Sequence, residues 1–208
     1  DSMKEVQNYY HVPDNRIDIV SCGWEHMNTT TEDDSILNRL ELNDGCEFFF
    51  SLGSKYKHKN FRWILESARY NPKYKFVITG TGAFSNNENE LKMVVPKNVI
   101  FTGYITNEEI KSLMIHCKAL IQPSLYEGFG LPPLEALSVG ASIVVSNKSC
   151  LPEIYKGVAH YIDPYNYNVD LDKLMDESVD NPKIVLDEYT WERAAAQLLN
   201  VLYKEGNR

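Results

Sequence analysis

Short apolar runs alternate along this chain with longer segments whose apolar residues recur every three to four positions. Ile17-Asp18-Ile19-Val20, Glu47-Phe48-Phe49-Phe50, Lys75-Phe76-Val77-Ile78, Asn98-Val99-Ile100-Phe101, Ala119-Leu120-Ile121 and Ser142-Ile143-Val144-Val145 are β-branched or aromatic and bounded by turn residues. That pattern predicts buried strands. Between them, Phe61, Ile64, Leu65 and Ala68 recur at helical spacing and stop before Asn71-Pro72. Ile110, Leu113, Met114 and Cys117 do the same after Thr106-x-x-Glu109, which reads as a capping box. A polar stretch, Thr29 to Asp34, precedes a predicted helix from Ser35 to Leu42. Near the end, Trp191, Ala194, Ala195, Leu198, Leu199 and Leu202 form one face of a final helix, and that stripe is expected to pack in the core. Residues 1–13 are polar and without a clean period, and fit a helix carried over from a preceding domain.

Strand–helix alternation predicts an α/β fold: a parallel, doubly wound, Rossmann-like sheet with right-handed crossovers. In such sheets ligands bind outside the carboxyl ends of the strands. Chain order alone then places Lys59, Gly80, Tyr104 and Glu127 on one rim.

Composition fits one globular unit. The chain has 208 residues, of which 43% are apolar and 24% charged, enough for a sizeable core and too few for two large domains. A net charge of -8 disfavours a sequence-independent grip on nucleic acid, so any anion has to be held by local features. Cys22, Cys46, Cys117 and Cys150 are far apart with no Cys-x-x-Cys pair, which fits reduced thiols in a cytoplasmic protein. No run reaches membrane-spanning length and no signal peptide opens the chain. His11, His26, His58, His116 and His160 are dispersed, and no Asp-x-Asp stands ready for a divalent ion, so no metal ligands and no cofactor are expected.

The segment from Pro123 to Leu137, Pro-Ser-Leu-Tyr-Glu-Gly-Phe-Gly-Leu-Pro-Pro-Leu-Glu-Ala-Leu, carries the most specific chemistry. An apolar run feeds into it and Gly140 closes it, so it reads as strand, tight loop and short helix. Gly128 and Gly130 let a ligand approach the main chain at a helix N-terminus, where the dipole favours an anion. Glu127 and Glu135 flank that seat. The arrangement resembles the Glu-x7-Glu signature of retaining, nucleotide-sugar-dependent glycosyltransferases of the GT-B fold, family 4. The resemblance runs from about Ile17 to Trp191. It includes the strand-to-helix loop Gly53 to Asn60, the strand and turn Phe76 to Gly82, the turn Thr102-Gly103-Tyr104-Ile105, Leu151-Pro152-Glu153-Ile154, and the late strand Tyr161-Ile162-Asp163-Pro164.

The resemblance implies the C-terminal, donor-binding half of such an enzyme: residues 17–208 as the donor domain, and 1–16 as a linker or segment carried over from an N-terminal acceptor domain. The chain opens on Asp1 rather than Met, which with the resemblance suggests a fragment. That absent domain is the expected partner, and through it the enzyme is expected to reach a membrane surface peripherally. The donor implied is a nucleoside-diphosphate sugar, and the acceptor a glycan or lipid-linked glycan. Glu127 and Lys59 are the candidate catalytic residues, Glu127 meeting hydroxyls of the transferred sugar and Lys59 the diphosphate. Glu135 corresponds to the carboxylate that accepts from ribose hydroxyls. Phe129, Gly130 and Leu131, with Gly128 beside them, correspond to main chain that donates N–H groups to the diphosphate or sugar. Tyr104 and Ile105 border the base, with Tyr104 either covering it or packing under the next helix. Gly53, Ser54, His58 and Gly80 complete the expected substrate contacts. Relatives often carry an arginine where this chain has Ser54 or His58, a departure that leaves Lys55, Lys57 or His58 to share the phosphate charge.

Other classes remain at this stage. A paired-carboxylate hydrolase places its acids on different elements across the scissile bond, whereas Glu127 and Glu135 share one loop and helix start. A dinucleotide-dependent oxidoreductase would use Gly80-Thr81-Gly82, but Ser85 stands where the third glycine belongs. A nucleotide-sugar binding module without catalysis accounts for the same motifs, because an acceptor site is not encoded here.

Overall fold

The computed structural model describes residues 2–43, 45–53, 56–80 and 95–206. Of the residues singled out above, Ser54, Lys55, Thr81, Gly82 and Ser85 lie outside them. Six strands, β1 Phe48–Ser51, β2 Lys75–Ile78, β3 Val99–Phe101, β4 Ala119–Gln122, β5 Ser142–Ser146 and β6 His160–Ile162, pair in the order β3-β2-β1-β4-β5-β6. Every pairing is parallel. The helices are α1 Ser2–Tyr10, α2 Ser35–Arg39, α3 Phe61–Tyr70, α4 Asn107–His116, α5 Leu131–Ser138, α6 Leu151–Tyr155, α7 Leu171–Met175, α8 Lys183–Leu186 and α9 Trp191–Gly206.

Period-two alternation divides the strands between two cores. Phe48, Phe50, Val77, Leu120, Ile143 and Val145 pack on one face with Ile36, Leu37, Leu113, Met114, Leu134 and Leu137 from α2, α4 and α5. Phe49, Phe76, Ile78, Ala119, Ile121 and Val144 pack on the other with Trp63, Ile64, Leu65 and Ala68 of α3 and Leu171 of α7. Helices therefore cover both faces, as a parallel sheet requires. The strand order reverses direction between β1 and β4, so their carboxyl ends form the crevice where ligands of such sheets bind.

The capping box of α4 is formed in both directions: Glu109 N–H donates to Thr106 Oγ1 at 3.3 Å, and Thr106 N–H to Glu109 Oε2 at 2.9 Å. Two expectations fail. Ile17–Val20 is not a strand, and Ile19 and Val20 are exposed. Its β-branched residues have the propensity but no partner strand, and an unpaired extended segment leaves its backbone groups to water. The sixth strand is instead β6, at the segment read as the late strand. The stripe of α9 is also not core: Ala194 is buried, whereas Leu198, Leu199 and Leu202 are about half exposed.

Trp63 is fully buried, and its indole N–H donates to the carbonyl of Asn166 at 2.7 Å. Trp63→Ala therefore leaves a large cavity and an unpaired carbonyl. It should lower the unfolding free energy by about 3–5 kcal/mol in urea titrations. A loss of about 0.5 kcal/mol, the size of a surface change, would contradict the core placement.

Candidate functional site

Two loops meet at the switch point. From β1 the chain passes Gly53, turns through a short 3-10 segment, Lys57–Lys59, and enters α3 by way of Asn60. Asn60 has a left-handed backbone, φ 54°, and its side chain does not cap α3. Its amide instead donates to the carbonyls of Pro123 at 3.0 Å and Pro164 at 2.9 Å, tying the ends of β1, β4 and β6 together. Leu125 N–H donates to the carbonyl of His58 at 2.7 Å, a second stitch between the loops.

These stitches bring Lys59 to Glu127. Lys59 Nζ lies 2.8 Å from Glu127 Oε1 in a partly buried ion pair, with Glu127 only 8% exposed. Burial costs the two charges hydration, and the short contact offsets that loss.

The Glu127–Leu131 loop is held from behind by the segment after β5. Ser149 Oγ donates to the Glu127 carbonyl at 2.9 Å and accepts the Glu127 N–H at 3.2 Å. Cys150 Sγ points to the carbonyls of Glu127 at 3.2 Å and Phe129 at 3.6 Å, and the Tyr155 hydroxyl donates to the carbonyl of Gly130. A trans peptide directs its N–H opposite to its C=O. The N–H groups of Gly130 and Leu131 are therefore turned away from Cys150 and Tyr155. Burial pushes the Cys150 thiol above its ordinary pKa, and the Glu127 charge adds to the shift. The Tyr155 hydroxyl is raised well above its ordinary value by burial. Both groups therefore keep their protons at neutral pH and act as donors. Pro132 and Pro133 bring no N–H to the first turn of α5, and no side chain caps it. Its anion-facing donors are accordingly few.

The glycines divide by task. Gly130 has φ 84°, and a Cβ there would meet Leu151 Cδ2 at 2.6 Å. A Cβ on Gly128 would meet no described atom within 4 Å, so this position faces open space. Gly53 is packed under Phe61, whose ring would lie 1.8 Å from an added Cβ, and its N–H donates to Thr79 Oγ1 at 2.7 Å. Gly80 pairs with Gly103 through two main-chain hydrogen bonds of 2.9 and 3.0 Å. His58 stacks on Tyr56, ring centroids 5.6 Å apart. Ile105 is buried. Tyr104 is 94% exposed, which overturns the reading that it packs under the next helix.

Glu135, on α5, has a different partner from Glu127. Its Oε1 lies 2.8 Å from His26 Nε2, in the 3-10 turn Glu25–Asn28. No local signal marks this contact, because His26 and Glu135 are 109 positions apart in the chain. Among the described residues, no three His, Cys, Asp or Glu side chains converge as metal ligands, and no helix is long and apolar enough to cross a membrane.

Sheet, crevice and rim define a Rossmann-like domain and match the fold of GT-B glycosyltransferases. A sequence profile described as Glycosyl transferases group 1 matches residues 32–204, and the chain belongs to that family. This membership displaces the oxidoreductase reading. An uncharacterised glycosyltransferase of Methanocaldococcus jannaschii is 26% identical, covering 95% of this chain and 56% of that protein. The O-antigen chain mannosyltransferase B of Escherichia coli is 26% identical over 72% of this chain and 44% of its own. The chain thus spans about half the length of these relatives. Among solved structures, sucrose-phosphate synthase from Thermosynechococcus elongatus superposes with a TM-score of 0.72 at 16% identity, over 99% of this chain and 56% of that one, a likeness of fold.

The two signature glycines should separate in a stability series. Gly130→Ala forces a side chain into a left-handed conformation against Leu151 and should cost about 1–3 kcal/mol of unfolding free energy. Gly128→Ala should stay within about 0.5 kcal/mol of the parent. The reverse order in denaturant titrations would contradict the assignment.

Proposed function

We propose that this chain is the donor-binding domain of a retaining glycosyltransferase that takes a sugar from a nucleoside diphosphate and passes it to a glycan or lipid-linked acceptor. The observation that carries this reading is the Lys59–Glu127 pair at the β1/β4 switch point, beside a loop whose Phe129 and Gly130 carbonyls are held by Cys150 and Tyr155. Breaking a glycosyl–phosphate bond collects charge on the leaving diphosphate, and a cation with oriented N–H donors stabilises it. Lys59, Gly130 and Leu131 supply those groups. Glu127 faces the sugar hydroxyls, Glu135 the ribose diol, and Tyr104 the base, its exposed ring standing ready to stack. The reaction is proposed to be metal-independent and cytoplasmic. The mannosyltransferases among the relatives favour a mannosyl donor.

An acceptor domain completes the enzyme in this reading. The half-exposed Leu198, Leu199 and Leu202 of α9 offer it an apolar face, and peripheral membrane association would come through that domain. A binding module without chemistry uses the same rim; transfer by the longer protein separates the two readings.

Calorimetry with GDP, UDP and their sugars tests the division of roles. Glu135→Ala and Lys59→Ala should each weaken the nucleoside diphosphate by about 1–3 kcal/mol, the range for a lost charged hydrogen bond. Glu127→Ala releases Lys59, so it should spare the bare diphosphate and weaken only the nucleotide sugar. Equal losses for both ligands in Glu127→Ala would refute the assignment. Lys59→Ala also leaves Glu127 buried without its cation, so unfolding midpoints must be measured alongside. The full enzyme should transfer with retention, read by NMR at the anomeric carbon, and tolerate a chelator. Residues 1–208 alone should transfer almost nothing, because no acceptor site closes over the donor.

A further inference from the structure

His26 is held by bonds at both ring nitrogens. Trp191 Nε1, at the start of α9, lies 3.2 Å from His26 Nδ1, and His26 Nε2 lies 2.8 Å from Glu135 Oε1. An indole N–H can only donate, so Nδ1 must accept; the neutral ring then carries its proton on Nε2 and donates it to the carboxylate. The tautomer follows from the geometry. The main chain around His26 is equally restrained. Its carbonyl accepts the N–H and hydroxyl groups of both Thr29 and Thr30, and Lys111 Nζ donates to the carbonyls of Met27 at 3.1 Å and Thr30 at 2.8 Å. Glu25, next in the turn, receives the Trp191 N–H on both carboxylate oxygens at 3.0 Å, which fixes α9 to the same turn.

Resting on the donor-site reading above, we infer that His26 is a positioning residue for Glu135, and that the Trp191–His26–Glu135 chain gives the site its preference for ribose over 2′-deoxyribose. A carboxylate accepts at two oxygens. With Oε1 engaged by His26, the group is held in one rotamer and Oε2 is aimed for a vicinal diol. Without His26, the glutamate must be ordered by the ligand itself, and that ordering is lost from the binding free energy. A ligand that uses both hydroxyls of the diol feels the change most.

The test compares GDP and UDP with their 2′-deoxy counterparts by calorimetry on residues 1–208, carrying forward whichever base binds. The parent should prefer the ribonucleotide. His26→Ala should weaken the ribonucleotide about threefold to tenfold and the 2′-deoxynucleotide, which keeps only the 3′-hydroxyl, by clearly less. His26→Gln, whose amide nitrogen reaches where Nε2 stands, should restore most of the preference. Trp191→Phe keeps an aromatic side chain but removes the N–H, and should reduce the preference by less than His26→Ala. An unchanged ribose preference in His26→Ala, or equal losses for both sugars without rescue by His26→Gln, overturns the positioning role while leaving the donor site standing. Should His26→Ala fail to fold, Trp191→Phe and His26→Gln decide the matter on the same ratio. A parent protein that binds neither nucleoside diphosphate overturns the donor-site reading, and this inference with it.

Discussion

The ion pair between Lys59 and Glu127 is the contact on which the rim depends. Each charge sits on a loop leaving a different strand, and the strands are neighbours only because the sheet order turns back between β1 and β4. Parallel pairing of Phe49 with Ala119 and Phe50 with Leu120 sets the register that brings the loops level. The Asn60 amide and the Leu125–His58 bond then lock one loop to the other. A pair formed across such a junction is costly to disturb from one side, since the remaining charge stays partly buried without compensation. The fold thus delivers a fixed cation to the crevice.

Behind that pair, the glycine loop is shaped by what grips its carbonyls. Ser149, Cys150 and Tyr155 all come from the segment following β5, and each donates to the Glu127–Gly130 main chain. Burial keeps Cys150 and Tyr155 protonated, so these grips do not depend on pH near neutrality. Gly130 serves this packing through its left-handed backbone and its contact with Leu151, whereas Gly128 keeps the outer side of the loop clear. One motif therefore contains a tightly packed glycine and one that faces open space, and spacing alone does not distinguish them.

Much of the rim was legible because its signals are local. Apolar runs ending in glycine, a capping box at Thr106, and two carboxylates around Gly-Phe-Gly can each be read within a few residues. Failures came where a partner decides the outcome. Ile17–Val20 has the composition of a strand, yet nothing in its own residues tells whether a sheet edge will receive it. The α9 leucines have the spacing of a buried stripe, and their exposure reflects what covers the helix rather than its sequence. Asn60 directly precedes α3, yet its amide goes to the carbonyls of Pro123 and Pro164, partners remote in the chain. In the sequence His26 is one of five dispersed histidines. Its role exists only once α5 and the start of α9 converge on the same turn.

The two signature carboxylates consequently work in different electrostatic settings. Glu127 opposes a full positive charge, and Glu135 accepts from a neutral imidazole whose far nitrogen is occupied by Trp191. A chain of net charge -8 repels anions at long range, so on the proposed reading a diphosphate would have to be held by contacts at the rim. Any phosphate that recruits Lys59 does so in competition with Glu127. That exchange has a direction: as the cation turns to the phosphate, Glu127 loses its counter-charge and gains most from hydroxyl donors placed beside it. A sugar attached to the same diphosphate supplies such donors. On the proposed reading, the pairing would favour a phosphate that arrives with its sugar over a bare anion, without help from the net charge of this chain.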